Sequence, residues 1–206
     1  MDQDTPAPFL SRRRKLLSVL ATLAVAGIAL AGCTAPAADA DPAIATAQEI
    51  LASHDLAGLD VEEVIERLDT MPVADRPAAL LASVQPDALV LRDESIREGR
   101  LPMPRDSVYL SIAPFREQTH ECHFHSLTTC LGELSDTAVR VVVTAEDGTK
   151  LVDETRPTAD NGFIGIWVPR NNEATLTVES EGLTGSVPIS TTSPDDRTCI
   201  TDLRLL

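Results

Sequence analysis

Beyond residue 107 the chain is cut into short β-branched runs. They cover residues 108–112, 139–144, 150–155, 163–168, 174–178, 186–190 and 198–205, and Gly, Pro, Asn and Asp separate them. Val, Ile and Thr are stiff at χ1 and pack well on a pleated surface, so such runs read as strands. Asp147-Gly148, between two of them, is the strongest hairpin signal in the chain. Strands at this spacing predict an antiparallel sandwich.

Residues 42–100 have a different texture. Asp41-Pro42 reads as an N-cap with proline in the first turn, opening a helix with Ile44, Ala47 and Leu51 on one face. Asp60 with Glu63 gives a capping-box start, and Val61, Val64, Ile65 and Leu68 keep a helical stripe. A third short helix is predicted through residues 78–82, stopping before Pro86, and residues 88–91 fit a strand. The texture changes around residues 99–104. The fold class is therefore α+β, with a mostly helical N-terminal domain over residues 42–100. A β-rich, sandwich-like domain follows over residues 101–206. The helical apolar side needs a partner, either the second domain or another copy of the chain.

The first 32 residues read as an address. Arg12, Arg13, Arg14 and Lys15 precede seventeen uncharged residues, 16–32. A basic start and an apolar run of that length fit a secretory signal and are marginal for a permanent span. The run ends Leu30-Ala31-Gly32-Cys33, which resembles the lipobox of bacterial lipoproteins. In that reading Cys33 becomes the lipidated N-terminus, residues 33–41 form a Pro/Ala/Asp tether, and the protein sits on the extracytoplasmic face of a membrane.

Charge narrows the partners. The chain has 17 basic and 32 acidic side chains, a formal −15. Four of those bases and two of the acids lie in the first 32 residues, which leaves 13 against 30, a net −17. Nucleic acid and anionic lipid headgroups both call for clustered cations, so neither is a partner of the mature chain. The order of residues also lacks a Ser/His/Asp set, a glycine-rich phosphate loop or a carboxylate pair, and an enzyme is not expected.

The cysteines carry the chemistry. With Cys33 lipidated, Cys122, Cys130 and Cys199 remain, an odd number for an oxidising compartment. His120, His123 and His125 stand beside Cys122, and Cys130 follows eight residues after it. Thiolates with imidazoles suit Cu(I) or Zn(II), whereas carbonyls and carboxylates would suit Ca(II). Cys199 must come from the far end of the chain, on a strand where Cys199, Thr201, Leu203 and Leu205 share a face. The plain alternative is one disulfide among three pairs, with histidines on a solvated loop. Spacing alone names no metal.

Residues 122–134, CHFHSLTTCLGEL, resemble the central signature of the CueP family of periplasmic copper-binding proteins. Residues 68–77 (LDTMPVADRP), 82–86 (ASVQP), 160–170 (DNGFIGIWVPR) and 198–201 (TCIT) are also similar to that family. The resemblance implies an N-terminal domain that forms a homodimer and a β-rich domain that holds copper through three cysteines. Cys122, Cys130 and Cys199 match those positions, and His125 matches the motif's histidine, as a ligand or a neighbour of the ligands. His123 falls at a variable position.

His54 reads as a capping or surface residue, and Met71, Met103 and Trp167 as packing. The favoured function is an extracytoplasmic, lipid-anchored protein that sequesters Cu(I) or delivers it to a copper-requiring enzyme, contributing to copper homeostasis. Two rivals stand: a thiol-disulfide protein that reduces Cu(II), and a surface scaffold stapled by its cysteines. On the favoured reading, a fragment starting near Leu101 is monomeric and still binds copper.

Overall fold

The computed structural model describes residues 41–206; the signal, the lipobox cysteine and nearly all of the tether lie outside the described residues. α1 (Pro42–Ala52) begins as expected. Asp41 accepts the Ala43 N–H at 2.9 Å, and Pro42 sits where a missing N–H costs nothing. α2 (Val61–Asp69) carries the full capping box: the Glu63 N–H donates to Asp60 and the Asp60 N–H to Glu63, both at 2.9 Å. A 3₁₀ turn follows at Val73–Asp75.

Residues 78–82 do not form the predicted third helix. Their apolar letters enter β1 (Leu80–Val84), in which Leu80, Ala82 and Val84 are buried while Leu81 is exposed. That is a period of two, not 3.6. Pro77 and Pro86 leave too little room for a helix, and pairing with β2 (Ala88–Asp93) settles the choice. β3 (Glu98–Pro102) completes a meander that the sequence reading left out, because Gly99 and Pro102 are poor strand formers. Residues 42–102 thus hold three strands beside their two α-helices, and the third strand crosses the boundary expected at residue 100.

The remaining strands fall close to the predicted runs: β4 (Ser107–Ile112), β5 (His125–Ser126), β6 (Ala138–Ala145), β7 (Lys150–Pro157), β8 (Ile164–Pro169), β9 (Glu173–Ser180), β10 (Leu183–Ser190) and β11 (Cys199–Ile200). The sheets run β3-β2-β1-β5, β10-β9-β6-β7 and β11-β4-β8, and every pair is antiparallel except β11 with β4. Asp147-Gly148 does turn β6 into β7, with Gly148 at φ +86°. The last predicted strand is shorter than expected. After Ile200 a single bridge, Phe115 to Arg204, is kept among the described residues, but the shared face holds: Cys199, Thr201, Leu203 and Leu205 are buried while Asp202, Arg204 and Leu206 are exposed.

Two large cores and a smaller one around Phe163 hold the described residues together. Val108, Leu110, Ile112, Ile164, Ile166 and Val168 meet Val139, Val141, Val143, Leu176 and Val178 between the two sheets of the sandwich. The second core packs α1 and α2 on β1–β3 and takes in Tyr109 and Leu127 from later in the chain. Met103 is buried there, and Met71 and Trp167 pack against it. Among the described residues, no helix is long and apolar enough to cross a membrane.

Candidate metal centre

β1 fixes the first half of the site. It pairs with β5 so that Val84 faces His125 and Ser83 faces Ser126, and the Leu127 N–H donates to the Ala82 carbonyl at 2.9 Å. The chain then turns tightly. The Cys130 N–H donates to the Ser126 carbonyl at 3.1 Å, and the Ser126 N–H points at the Cys130 sulfur at 3.4 Å. This turn explains the eight-residue interval between Cys122 and Cys130: it is long enough for a short strand and a reversal. Gly132 and Gly162 let the next segment close over it. A Cβ on Gly132 would fall 2.6 Å from the Gly162 carbonyl oxygen, and Gly162 itself has φ +78°.

The far end of the chain reaches the same place through β11. The N–H groups of Thr198 and Cys199 both donate to the His123 carbonyl, at 2.9 and 3.1 Å. The Thr198 hydroxyl donates to the Val84 carbonyl at 2.6 Å and accepts the His125 N–H at 3.1 Å. Backbone contacts consequently hold the β11 end, and with it Cys199, against the His125 segment.

The sulfurs converge. Cys122 and Cys199 form a disulfide, with their Cα atoms 5.6 Å apart. Cys130 is a free thiol whose Sγ lies 3.7 Å from the Cys122 sulfur. The Cys199 sulfur is 3.8 Å from Nδ1 of His125. Two donor triplets share Cys130: a buried one with His125 and Cys199, and an outer one with Cys122 and exposed His120. Phe163 and Ala113 wall the cluster with apolar surface, and the Phe163 ring lies 4.4 Å from the His125 ring.

Behind His125 stands Asp69, the last residue of α2. Its Oδ1 is 3.0 Å from Nε2 of His125, and both side chains are buried. The Tyr109 hydroxyl donates to Oδ2 at 2.7 Å, and Asn161 donates to Oδ1 at 3.1 Å and to the Asp69 carbonyl at 2.9 Å. Burial alone would raise the Asp69 pKa, but the hydrogen bond and charge of His125, with Tyr109 and Asn161, bring it below the usual value. Burial pushes His125 down, and Asp69 with the neighbouring Cys130 sulfur outweighs it, raising the imidazole to about 9. Cys130 is pushed up by burial and pulled lower, on balance, by the hydrogen bond and charge of His125. Cys130 therefore gives up its proton more readily than an ordinary thiol, and the thiolate is the form that binds soft metals and attacks disulfides.

All four predicted donors, Cys122, Cys130, Cys199 and His125, lie in this one cluster. His123 does not join it; its ring contacts the Asp195 carbonyl at 3.0 Å. His54 lies elsewhere, beside Met71 in a shallow hollow. Sequence reading missed the supports: Asp69, Tyr109, Asn161, and Arg76, whose guanidinium donates to the Cys130 carbonyl at 2.8 Å. One signal was available. Asp69 follows Ile65 by four residues, so an acidic side chain stands on the apolar face of α2, and at its C-terminal end, where the helix dipole disfavours it.

A crystal structure titled S.CueP matches this chain with a TM-score of 0.72 and 39% identity, over 78% of this chain and 97% of that one. A search of curated proteins finds no match. The model of the family described as periplasmic copper-binding protein CueP matches residues 63–204, which span α2, the three cysteines and His125. That span is well over half of the chain, and with it the chain belongs to the CueP family of periplasmic copper-binding proteins.

Proposed function

We propose that the protein holds Cu(I) through Cys122, Cys130 and Cys199 in their reduced form, with His125 as a nitrogen donor, and sequesters the ion or passes it to a copper-requiring enzyme. The observation that carries this reading is the convergence of three sulfurs and one imidazole from distant parts of the chain. The donor set fits the ion. Soft thiolates select Cu(I), a closed-shell ion content with two or three ligands, and Phe163 and Ala113 give the cluster an apolar wall. Competition against a Cu(I) chelator under reductant tests it. We expect about one Cu(I) per chain, with each of Cys122→Ser, Cys130→Ser and Cys199→Ser strongly weakened and His54→Ala unchanged. If all three serine variants bind like the wild type, the cysteines are structural.

The disulfide favours a second, compatible reading. The Cys122 and Cys199 thiols give up one electron each, an S–S bond forms between them, two Cu(II) become two Cu(I), and two protons leave. The redox state would then decide whether the site binds or has just discharged. Stoichiometric Cu(I) production from the reduced protein, with disulfide formed in equal measure to half the Cu(I), is the measurement.

In the same reading Cys33 carries a lipid that holds the protein at the outer face of a membrane, and residues 42–100 carry a homodimer contact. Supporting the contact is Ile96, 77% exposed at the tip of the β2–β3 hairpin with φ +63°, a conformation that a β-branched residue rarely adopts. Cys33→Ser should release the protein from the membrane fraction, and Ile96→Asp should yield a monomer by sedimentation.

A further inference from the structure

Asp69 is 3% exposed, and its carboxylate ties three side chains from separate parts of the chain to one point. It ends α2, accepts from Tyr109 on β4, accepts from Asn161 ahead of β8, and meets His125 on β5. Asn161 is fixed in turn, since its Oδ1 accepts the Phe163 N–H at 2.8 Å. An ionised carboxylate has no proton to give, so the bond to His125 requires Nε2–H as donor. The other ring nitrogen, Nδ1, then faces the Cys199 sulfur at 3.8 Å. The other polar groups beside the ring are sulfurs, Cys199 and its neighbour Cys130, so Asp69 is the oxygen acceptor that sets this choice.

We propose that Asp69 is a positioning residue for the copper site, which locks His125 as the Nε2–H tautomer with Nδ1 turned toward the sulfurs, while Tyr109 and Asn161 hold the carboxylate in place. This rests on the reading of the cluster as a copper site. A histidine that ligates a metal with one nitrogen commonly needs a carboxylate on the other, and losing that partner costs on the order of 10–100-fold in affinity. The lock comes from α2, so the helical part of the chain shapes a site whose donors all lie after residue 120. Without the carboxylate the imidazole can rotate or exchange tautomers, and the cluster keeps its three sulfurs but loses a fixed nitrogen.

Three variants are compared with the wild type in the reduced full mature chain: Asp69→Ala, Asp69→Asn and Tyr109→Phe. Long-range proton–nitrogen NMR of the metal-free protein, recorded above pH 9 where the ring is neutral, should show His125 as Nε2–H in the wild type. It should remain so in Asp69→Asn, whose amide oxygen still accepts, and give way to a mixture in Asp69→Ala. X-ray absorption of the Cu(I)-loaded chain should show one nitrogen neighbour that disappears in Asp69→Ala. Cu(I) affinity should fall roughly 10–100-fold in Asp69→Ala and only a few-fold in Tyr109→Phe. In a His125→Ala background, Asp69→Ala should cost nothing more, because its effect runs through the ring. Should Asp69→Ala keep the Nε2–H tautomer and the nitrogen neighbour, or should its cost persist without His125, the positioning role is wrong. The tautomer readout needs no metal, so it stands apart from the copper reading, which falls only if the cysteine variants bind normally. If Asp69→Ala does not fold, Asp69→Asn and Tyr109→Phe still decide: scrambling of the tautomer in Tyr109→Phe supports the lock, and retention of full affinity with a reversed tautomer in either overturns it.

Discussion

The free sulfur of Cys130 lies 3.7 Å from that of Cys122, whose disulfide partner is Cys199. A thiol so placed is ready to attack the bond beside it, forming a Cys122–Cys130 link and freeing Cys199. Without reductant, the mature chain should then show a single reactive thiol, and three after reduction. Peptide mapping after rapid alkylation should find both Cys122–Cys199 and Cys122–Cys130 links in the wild type, and only the first in Cys130→Ser. A wild type that never yields the second link would mean the thiol cannot reach along the line of attack.

The same neighbours set the response to pH. His125, raised to about 9, binds a proton in the folded chain that it would lose near 6.5 when unfolded. Its contribution to stability is present below 6.5 and lost as pH rises to about 9. Cys130 has the opposite sign. Its pKa lies below the ordinary 9.0, so its contribution is present above 9.0 and lost as pH falls through the lowered value. Where the two windows overlap below 9 the slopes oppose each other, so the thermal midpoint of the metal-free, disulfide-intact protein should fall less with rising pH than His125 alone would make it. Cys130→Ser removes one side, so its midpoint should fall more steeply as pH rises across that window. A variant with the wild-type slope would count against the pairing.

Gly165 on β8 connects backbone packing to this electrostatics. A Cβ there would collide with the Tyr109 hydroxyl, the group that donates to Asp69. Gly165→Ala should therefore displace the tyrosine and destabilise the fold by roughly 1–3 kcal/mol, as overpacking does. In a Tyr109→Ala background the cost should shrink, since the hydroxyl and the ring carbons that the Cβ would meet are both gone. Thermal denaturation of the two single variants and the double variant checks this; equal costs in both backgrounds would place the clash elsewhere.

Much of this architecture was legible because local signals and tertiary structure agree. The capping residues Asp41, Asp60 and Glu63 do what their chemistry predicts, and the β-branched runs become strands. Residues 78–82 misled because Ala and Leu serve helix and strand alike, and only pairing with β2 decides between them. The four donors could be read from residue type and resemblance. Their supports could not, because Tyr109 and Asn161 look like ordinary strand and turn residues until the fold sets them beside Asp69. Asp69 itself was visible in principle, as a carboxylate on an apolar helix face.

The expectation that a fragment from Leu101 keeps the copper site needs revision for the same reason. All four donors lie after that point, but Asp69, Arg76 and β1 do not. Removing them strips the carboxylate from His125, the guanidinium from the Cys130 carbonyl, and the strand that holds His125 and Ser126. It also orphans the Leu127 N–H and the Thr198 hydroxyl, which donate to Ala82 and Val84. Each buried group left unpaired costs about 1–3 kcal/mol. Leu127 and Tyr109, buried in the helical core, become exposed as well. The sandwich core between β4, β8 and the β6–β9 sheet lies wholly within the fragment, so strand content should survive. Residues 101–206 should accordingly fold as a β protein, remain monomeric by sedimentation, and bind Cu(I) at least ten-fold more weakly than the full mature chain. The comparison is chelator competition on both, under reductant. A fragment that matches the full chain would show that the sulfurs alone make the site and that α2 contributes nothing to it.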